Sequence, residues 1–255
     1  MTGSSMFARQ FRVDLLRFWR NSQSRYFTLL LPLIFLVIFA AIFKGETVVA
    51  GHKITIATYY VPGIMTLGIV SASYLNLTQT VVDRREAGEL KRLRGTPLPA
   101  LYVIASRAIV GVTVAVAMSG LLLVIGRVAY NVKIPDDLAA LAVGVIVGAA
   151  SFACLGFAVS TVIRSSEAAA PALNLSVLPL YFISGVFVPD QQIPEVLRKI
   201  AEIFPIYHLA VVLREPFLEA GGSLKLGDLA IVAAWGAVSL LVAARTFRWT
   251  PAAEG

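Results

Sequence analysis

Charge is scarce in this sequence. Of 255 residues only 15% are charged, against about 25% in a typical soluble domain, while 58% are hydrophobic and mean hydropathy is +0.79. A water-facing surface for a fold of this length would need far more charge, so a soluble globular domain is excluded. Cysteine is nearly absent: Cys154 stands alone, which rules out a disulfide framework or a CxxC metal site within one chain. Histidine occurs only as His52 and His208, too few for a histidine-rich metal centre. No G-x-x-x-x-G-K-[ST] run is present to cradle nucleotide phosphates, and neither G-x-S-x-G nor H-E-x-x-H occurs.

What fills the chain instead is long apolar runs. Charge-free stretches extend over Tyr26–Phe43, Ile54–Val82, Ala108–Gly126, Leu138–Ile163, Ala168–Pro189 and the shorter Leu229–Ala244. Roughly 20 apolar residues cross a bilayer, so these predict six transmembrane helices, the last needing Asp228 and Arg245 at its edges. The Ile54–Val82 run contains Pro62 and would be about 43 Å long as a helix, which predicts tilt or a kink. None of the six runs holds an ionisable residue at its centre, and a proton-coupled carrier usually needs one there.

Basic residues set an orientation. With the N-terminus inside, the inner segments hold Arg9, Arg12, Arg17, Arg20, Arg25, Arg84, Arg85, Lys91, Arg92, Arg94, Arg107, Arg164, Arg245 and Arg248, leaving eight of the 22 basic residues outside. The net charge of +7 thus reads as cytoplasmic loops against anionic lipid, and nucleic acid is not a partner. Both termini are expected in the cytoplasm and the chain in the plasma membrane. Ahead of the first span, Phe7, Phe11, Leu15, Phe18 and Trp19 recur at helical spacing among arginines, which predicts an amphipathic helix within residues 1–25 lying in the inner interface. Residues 26–244 then form the membrane region and 245–255 a cytoplasmic tail.

Between the second and third spans charge is suddenly dense: eight of the twelve residues from Asp83 to Arg94 are charged. Leu90 and Leu93 lie three apart, with Gly88 before them and Gly95-Thr96-Pro97 after. This is a short helix with an apolar ridge and sharp stops. A solvated loop explains the arginines; a docking helix for a soluble partner explains the ridge and the stops as well.

"RREAGELKRLRGTPLP" resembles the cytoplasmic coupling segment of ABC-2 type permeases, whose usual form is close to E-R-E-x-G-T-L-E-x-L-R-x-T-P. Arg85, Glu86, Gly88, Leu90, Leu93, Arg94, Thr96 and Pro97 match it; Arg84 stands where the first acid would be, Glu89 replaces the first threonine and Lys91 the second acid. Residues 181–217 resemble the same family's fifth span and external segment, through Ser184-Gly185, Phe187, Pro189, Ile193-Pro194, Pro205, Tyr207 and Leu213-Arg214. In that segment Ile193, Leu197, Ile200, Ile203 and Phe204 are spaced to form one apolar helix face, able to dip into the outer leaflet or lie on it.

The resemblance implies an all-α polytopic membrane protein: six spans, an interfacial helix, a coupling helix between the second and third spans, and short external helices between the fifth and sixth. It implies the permease subunit of an ABC exporter for a drug, a lipid or a glycan-linked lipid. The chain itself would be no enzyme and hold no cofactor or metal. ATP and Mg²⁺ would sit on a separate ABC ATPase, two copies of it beneath two permease subunits, identical or homologous. Leu90 and Leu93 are expected to seat in the ATPase, with Arg85, Glu86 and Arg94 fixing the orientation. Asn76 and Gln79 in the second span and Asn174 and Ser176 in the fifth are polar groups in hydrocarbon, suited either to a substrate path or to interhelical hydrogen bonds. Gly144 and Gly148 allow close helix approach, within the subunit or across a dimer. A secondary transporter or channel uncoupled from ATP and a membrane-anchored scaffold are the competing classes.

Overall fold

The first helix of the protein, α1 (Gly3–Arg20), is followed by a helical turn at Ser22–Arg25 and by α2 (Tyr26–Ile42), π-wound over Tyr26–Leu30. A computed structural model describes residues 3–43, 45–49, 52–94, 100–189, 192–218 and 224–246. After α2 comes an antiparallel hairpin, β1 (Glu46–Val49) with β2 (His52–Thr55), in register Glu46 with Thr55. The rest is helical: α3 (Ile56–Glu86), α4 (Glu89–Arg94), α5 (Ala100–Tyr130), α6 (Leu138–Ser160), α7 (Ser166–Ile183), α8 (Glu195–Ala201), α9 (Pro205–Arg214) and α10 (Leu226–Thr246).

Four of these helices, α3, α5, α6 and α10, are long and apolar enough to cross a membrane among the described residues. The other two expected spans match α2, which is shorter, and α7, which is 18 residues long and carries Glu167, Asn174 and two prolines. Three helix starts carry their own cap. The side chains of Thr55, Asp137 and Ser165 accept hydrogen bonds from the backbone N–H of Thr58, Ala140 and Ala168, the donors that a helix start leaves unsatisfied.

Helix α3 is the axle of the bundle. In its most apolar stretch 89% of residues are buried, against 22% in α10, and it packs against α2, α5, α6, α7 and α9. The irregularity in α3 lies at Ser71–Leu75, a π turn, nine residues beyond the proline that the sequence singled out. Pro62 sits two turns into the helix and removes one ladder donor. The wide exposed apolar faces of α2, α5, α7 and α10, with Phe27, Val128, Leu175 and Leu241 all more than half exposed, are what a lipid-facing surface requires.

The segment between α7 and α10 packs into the bundle. Eight of the ten residues of α9 are buried, and the helix is wedged between α3, α6 and α10. Gly144 and Gly148 make the room: a Cβ on either would come within 2.8 Å of Val212 and 2.5 Å of Leu209. The two glycines therefore pack within the subunit. Arg214 closes the wedge; it donates to the Gly185 carbonyl at 2.5 Å and lies 4.2 Å from the centre of the Tyr59 ring, while the Tyr59 hydroxyl donates to the same carbonyl at 2.7 Å. On α8 the expected apolar face is split: Ile193, just before the helix, is buried, whereas Val196, Leu197, Ile200 and the following Ile203 are exposed.

The most extensive helix pair is α6 with α10, and it depends on Gly236, whose missing Cβ would lie 2.8 Å from the Ser151 Cα. A backbone atom cannot rotate away. Gly236→Val is therefore expected to cost about 1–3 kcal/mol by overpacking, read as a lowered thermal midpoint of the purified protein. Gly120→Ala, where the Cβ meets open space, should leave the midpoint unchanged or raise it slightly.

Candidate functional site

The arginine-rich end of the bundle, where α1, α3, α4 and α5 meet, gathers most of the residues that the coupling motif named. α3 runs unbroken to Glu86, and the chain turns at Ala87-Gly88, with Gly88 at φ +68°. That left-handed conformation is nearly free for glycine and strained for other residues, so Gly88 ends one helix and lets α4 start at an angle. Leu93 and Arg94 belong to α4; Thr96 and Pro97 lie outside the described residues.

Leu90 is not on a docking ridge. Its side chain is 3% exposed and packs in a small apolar cluster with Leu77, Val81, Ala153, Phe157 and Ala243. Where a seat in a partner's cleft was expected, Leu90 lies buried in its own chain, in a cluster drawn from α3, α6 and α10, and so pins α4 to the bundle. What α4 turns outward is Lys91 and Arg92, next to the exposed Glu86 and Ala87.

Arg85 also faces inward, 4% exposed. Its guanidinium donates to the Ser160 carbonyl at 2.7 Å and to the Ile163 carbonyl. These are the last carbonyls of α6 and its trailing turn, where unsatisfied acceptors and the negative end of the helix dipole collect. The neighbouring Glu86 does the converse. Its carboxylate accepts from the Ser166 backbone N–H at 2.6 Å, at the positive start of α7, and Asp83 accepts from the Ser166 hydroxyl and from Gln79 at 2.7 Å. The last turn of α3 thus grips the end of α6 with a cation and the start of α7 with anions. Arg85 and Glu86 orient helices of this chain.

Asp14 is the residue that sequence reasoning passed over. It is fully buried, and both of its oxygens are filled: Oδ1 accepts from Arg84 at 3.2 Å and pairs with Arg107 at 3.1 Å, while Oδ2 accepts from Ser106 at 2.7 Å and Gln10 at 3.0 Å. α1 is thereby locked to the end of α3 and the start of α5. Glu89 on α4 extends the network, at 3.0 Å from Arg17 and 3.6 Å from Arg84. Arg84, standing where an acid is usual in the motif, finds its counter-charge across the interface on α1. The signal was present: Phe7, Phe11, Asp14 and Phe18 form one helical stripe, and an acid on an apolar stripe needs a buried partner. Phe11 and Phe18 of that stripe pack on the core together with Leu15, and Val13, Leu16 and Trp19 are the exposed apolar residues of α1.

The four polar span residues do not converge. Asn76 lines a cavity beside α1 and donates weakly to Thr28 at 3.4 Å. Gln79 belongs to the grip on α7, also reaching the Ser166 carbonyl at 3.3 Å. Ser176 meets the Tyr74 hydroxyl at 3.1 Å, an interhelical bond between α7 and α3. Asn174 lies on the outward face of α7, its amide donating to the Ala170 carbonyl at 2.9 Å.

Comparison with known proteins agrees with this architecture. The family described as ABC-2 type transporter matches residues 5–218. The probable multidrug ABC transporter permease YbhR of Escherichia coli (strain K12) is 24% identical over 156 residues, 61% of this chain, and its counterpart in Escherichia coli O157:H7 is equally similar. The chain spans 41% of the length of these curated relatives. All but the first two residues of α1, the grip around Arg85 and the wedge of α9 fall inside the matched region, and the chain is a membrane protein of the ABC-2 type transporter family.

Proposed function

We propose that this chain is the permease subunit of an ATP-driven exporter, with α2, α3, α5, α6, α7 and α10 as its six spans in the plasma membrane. Its termini and the 83–97 segment face the cytoplasm, α1 lies in the inner interface, and residues 245–255 form a cytoplasmic tail. ATP and Mg²⁺ bind a separate ABC ATPase, present twice beneath two permease subunits. The substrate is a hydrophobic or amphipathic molecule, in keeping with the multidrug wording attached to the relatives.

The observation that carries this reading is the mechanical continuity at α4. A short helix pinned by Leu90 and joined through Gly88 to the last turn of α3 is followed, within that turn, by the grip on α6 and α7. A force applied to the outer side of α4 at Arg92 is passed to α3, the most buried helix, and to the α6–α7 connection. No phosphate-binding loop exists in the sequence, so the force comes from elsewhere.

Topology is the first test. In a Cys154→Ala background, Ala87→Cys should react with a membrane-impermeant maleimide only after cells are opened, and Lys199→Cys on α8 in intact cells. Labelling of position 87 from outside would invert the orientation and end the coupling reading.

A further inference from the structure

Beside the Asp14 network lies an open cavity of about 190 Å³, bounded by α1, α3, α5 and the turn before α2. This is far more than the roughly 10–15 Å³ one water molecule needs. Its lining is mixed: Arg17, Arg84 and Arg107 supply cations, Phe18, Val110 and Val114 apolar surface, and Asn21, Ser24, Asn76 and Thr80 hydrogen-bonding groups. Among the described residues no aspartate or glutamate lines it. Among the described residues the acids that pair with these arginines are the buried Asp14 and the part-exposed Glu89, two anions for three cations. The Arg107 Nε is buried and has no hydrogen-bond partner among the described residues.

We propose that this cavity holds the phosphate of an anionic lipid, the headgroup against Arg17, Arg84 and Arg107 and the start of the acyl region against Phe18, Val110 and Val114. The inference rests on the placement of α1 in a membrane interface given above. A basic pocket between helices at headgroup depth is the arrangement that selects anionic over zwitterionic lipid. A guanidinium suits the ligand, since its planar donors match phosphate oxygens. The site ties α1 to the coupling end, so occupancy would stiffen the junction that carries force from α4.

The test uses purified permease in bilayer discs of phosphatidylcholine, with and without phosphatidylglycerol, and counts retained lipid by native mass spectrometry. Wild-type protein should hold phosphatidylglycerol in preference to phosphatidylcholine. Arg107→Gln, which removes one cation, should lower that preference about fivefold. Ser24→Trp, which plugs the cavity from its rim without touching the ion network, should abolish it. Inorganic phosphate should compete poorly. Strong competition by phosphate together with indifference to Ser24→Trp would make this a free-anion site and overturn the lipid assignment; equal retention of both lipids by wild-type protein would overturn it outright. The readout needs neither an ATPase nor a transported substrate, so its failure would leave the export reading standing.

Discussion

Asp14→Ala is expected to be among the most damaging single substitutions in the protein. It leaves the guanidiniums of Arg84 and Arg107 facing each other in a nearly solvent-free site, with one carboxylate fewer for two cations. Removing one partner of a buried ion pair costs about 3–5 kcal/mol, because the desolvated charge that remains has nothing to offset it. Much of a membrane domain's margin is of that order, so the amount of folded protein recovered from membranes should fall severalfold, with a lower thermal midpoint. Adding Arg107→Met to Asp14→Ala should recover part of the loss, since it removes a stranded cation and keeps an apolar chain of similar reach. Asp14→Ala protein with wild-type midpoint and yield would show that the network is ornamental.

Leu90→Asp should act differently. The carboxylate would enter a cluster of Leu77, Val81, Phe157 and Ala243, and burying a charge there is unaffordable, so α4 should swing out on Gly88 instead. α4 adds only Leu90 to the cluster and Glu89 to the rim of the arginine network, so insertion should persist and the yield should fall less than for Asp14→Ala. Transport should drop by at least about tenfold, the equivalent of roughly 1.4 kcal/mol of docking free energy, while ATP hydrolysis by the partner continues uncoupled. Leu90→Met, close in volume, should retain transport. If Leu90→Asp transports at the parental rate, α4 is a charged loop and carries no force.

These expectations differ from those drawn from the sequence, and the difference is instructive. Gaps between charges located the long apolar helices, because a bilayer excludes charge regardless of how helices pack, although α5 starts eight residues before its run and α7 ends six residues before its own does. Leu138 as the start of α6 was read directly. The number of helices that cross was less legible: α7 has the right length, but two prolines and an asparagine dilute its apolar character. What the sequence could not show is which partner a polar side chain chooses. Arg85 and Glu86 read as surface charges for docking, yet their counterparts are backbone groups at the ends of α6 and α7, about 75–80 positions away, and backbone atoms leave no trace in residue types. Leu90 and Leu93 made an apolar ridge by spacing, but spacing cannot say whether the ridge meets a partner or the chain's own bundle. Gly144 and Gly148 signalled close approach without naming α9 as the helix that approaches. Asp14 could have been found, because its position on an aromatic stripe was already visible.

The central claim is that a separate ATPase pushes on the outer side of α4. A photo-crosslinking amino acid placed at Arg92, which is exposed beside the Gly88 hinge, tests it in native membranes. The account predicts a light-dependent adduct to a soluble subunit that contains a G-x-x-x-x-G-K-[ST] loop, with the same probe at Lys199 on α8 giving none. Robust adducts at position 92 to lipid alone, or to proteins without a phosphate-binding loop, would contradict it.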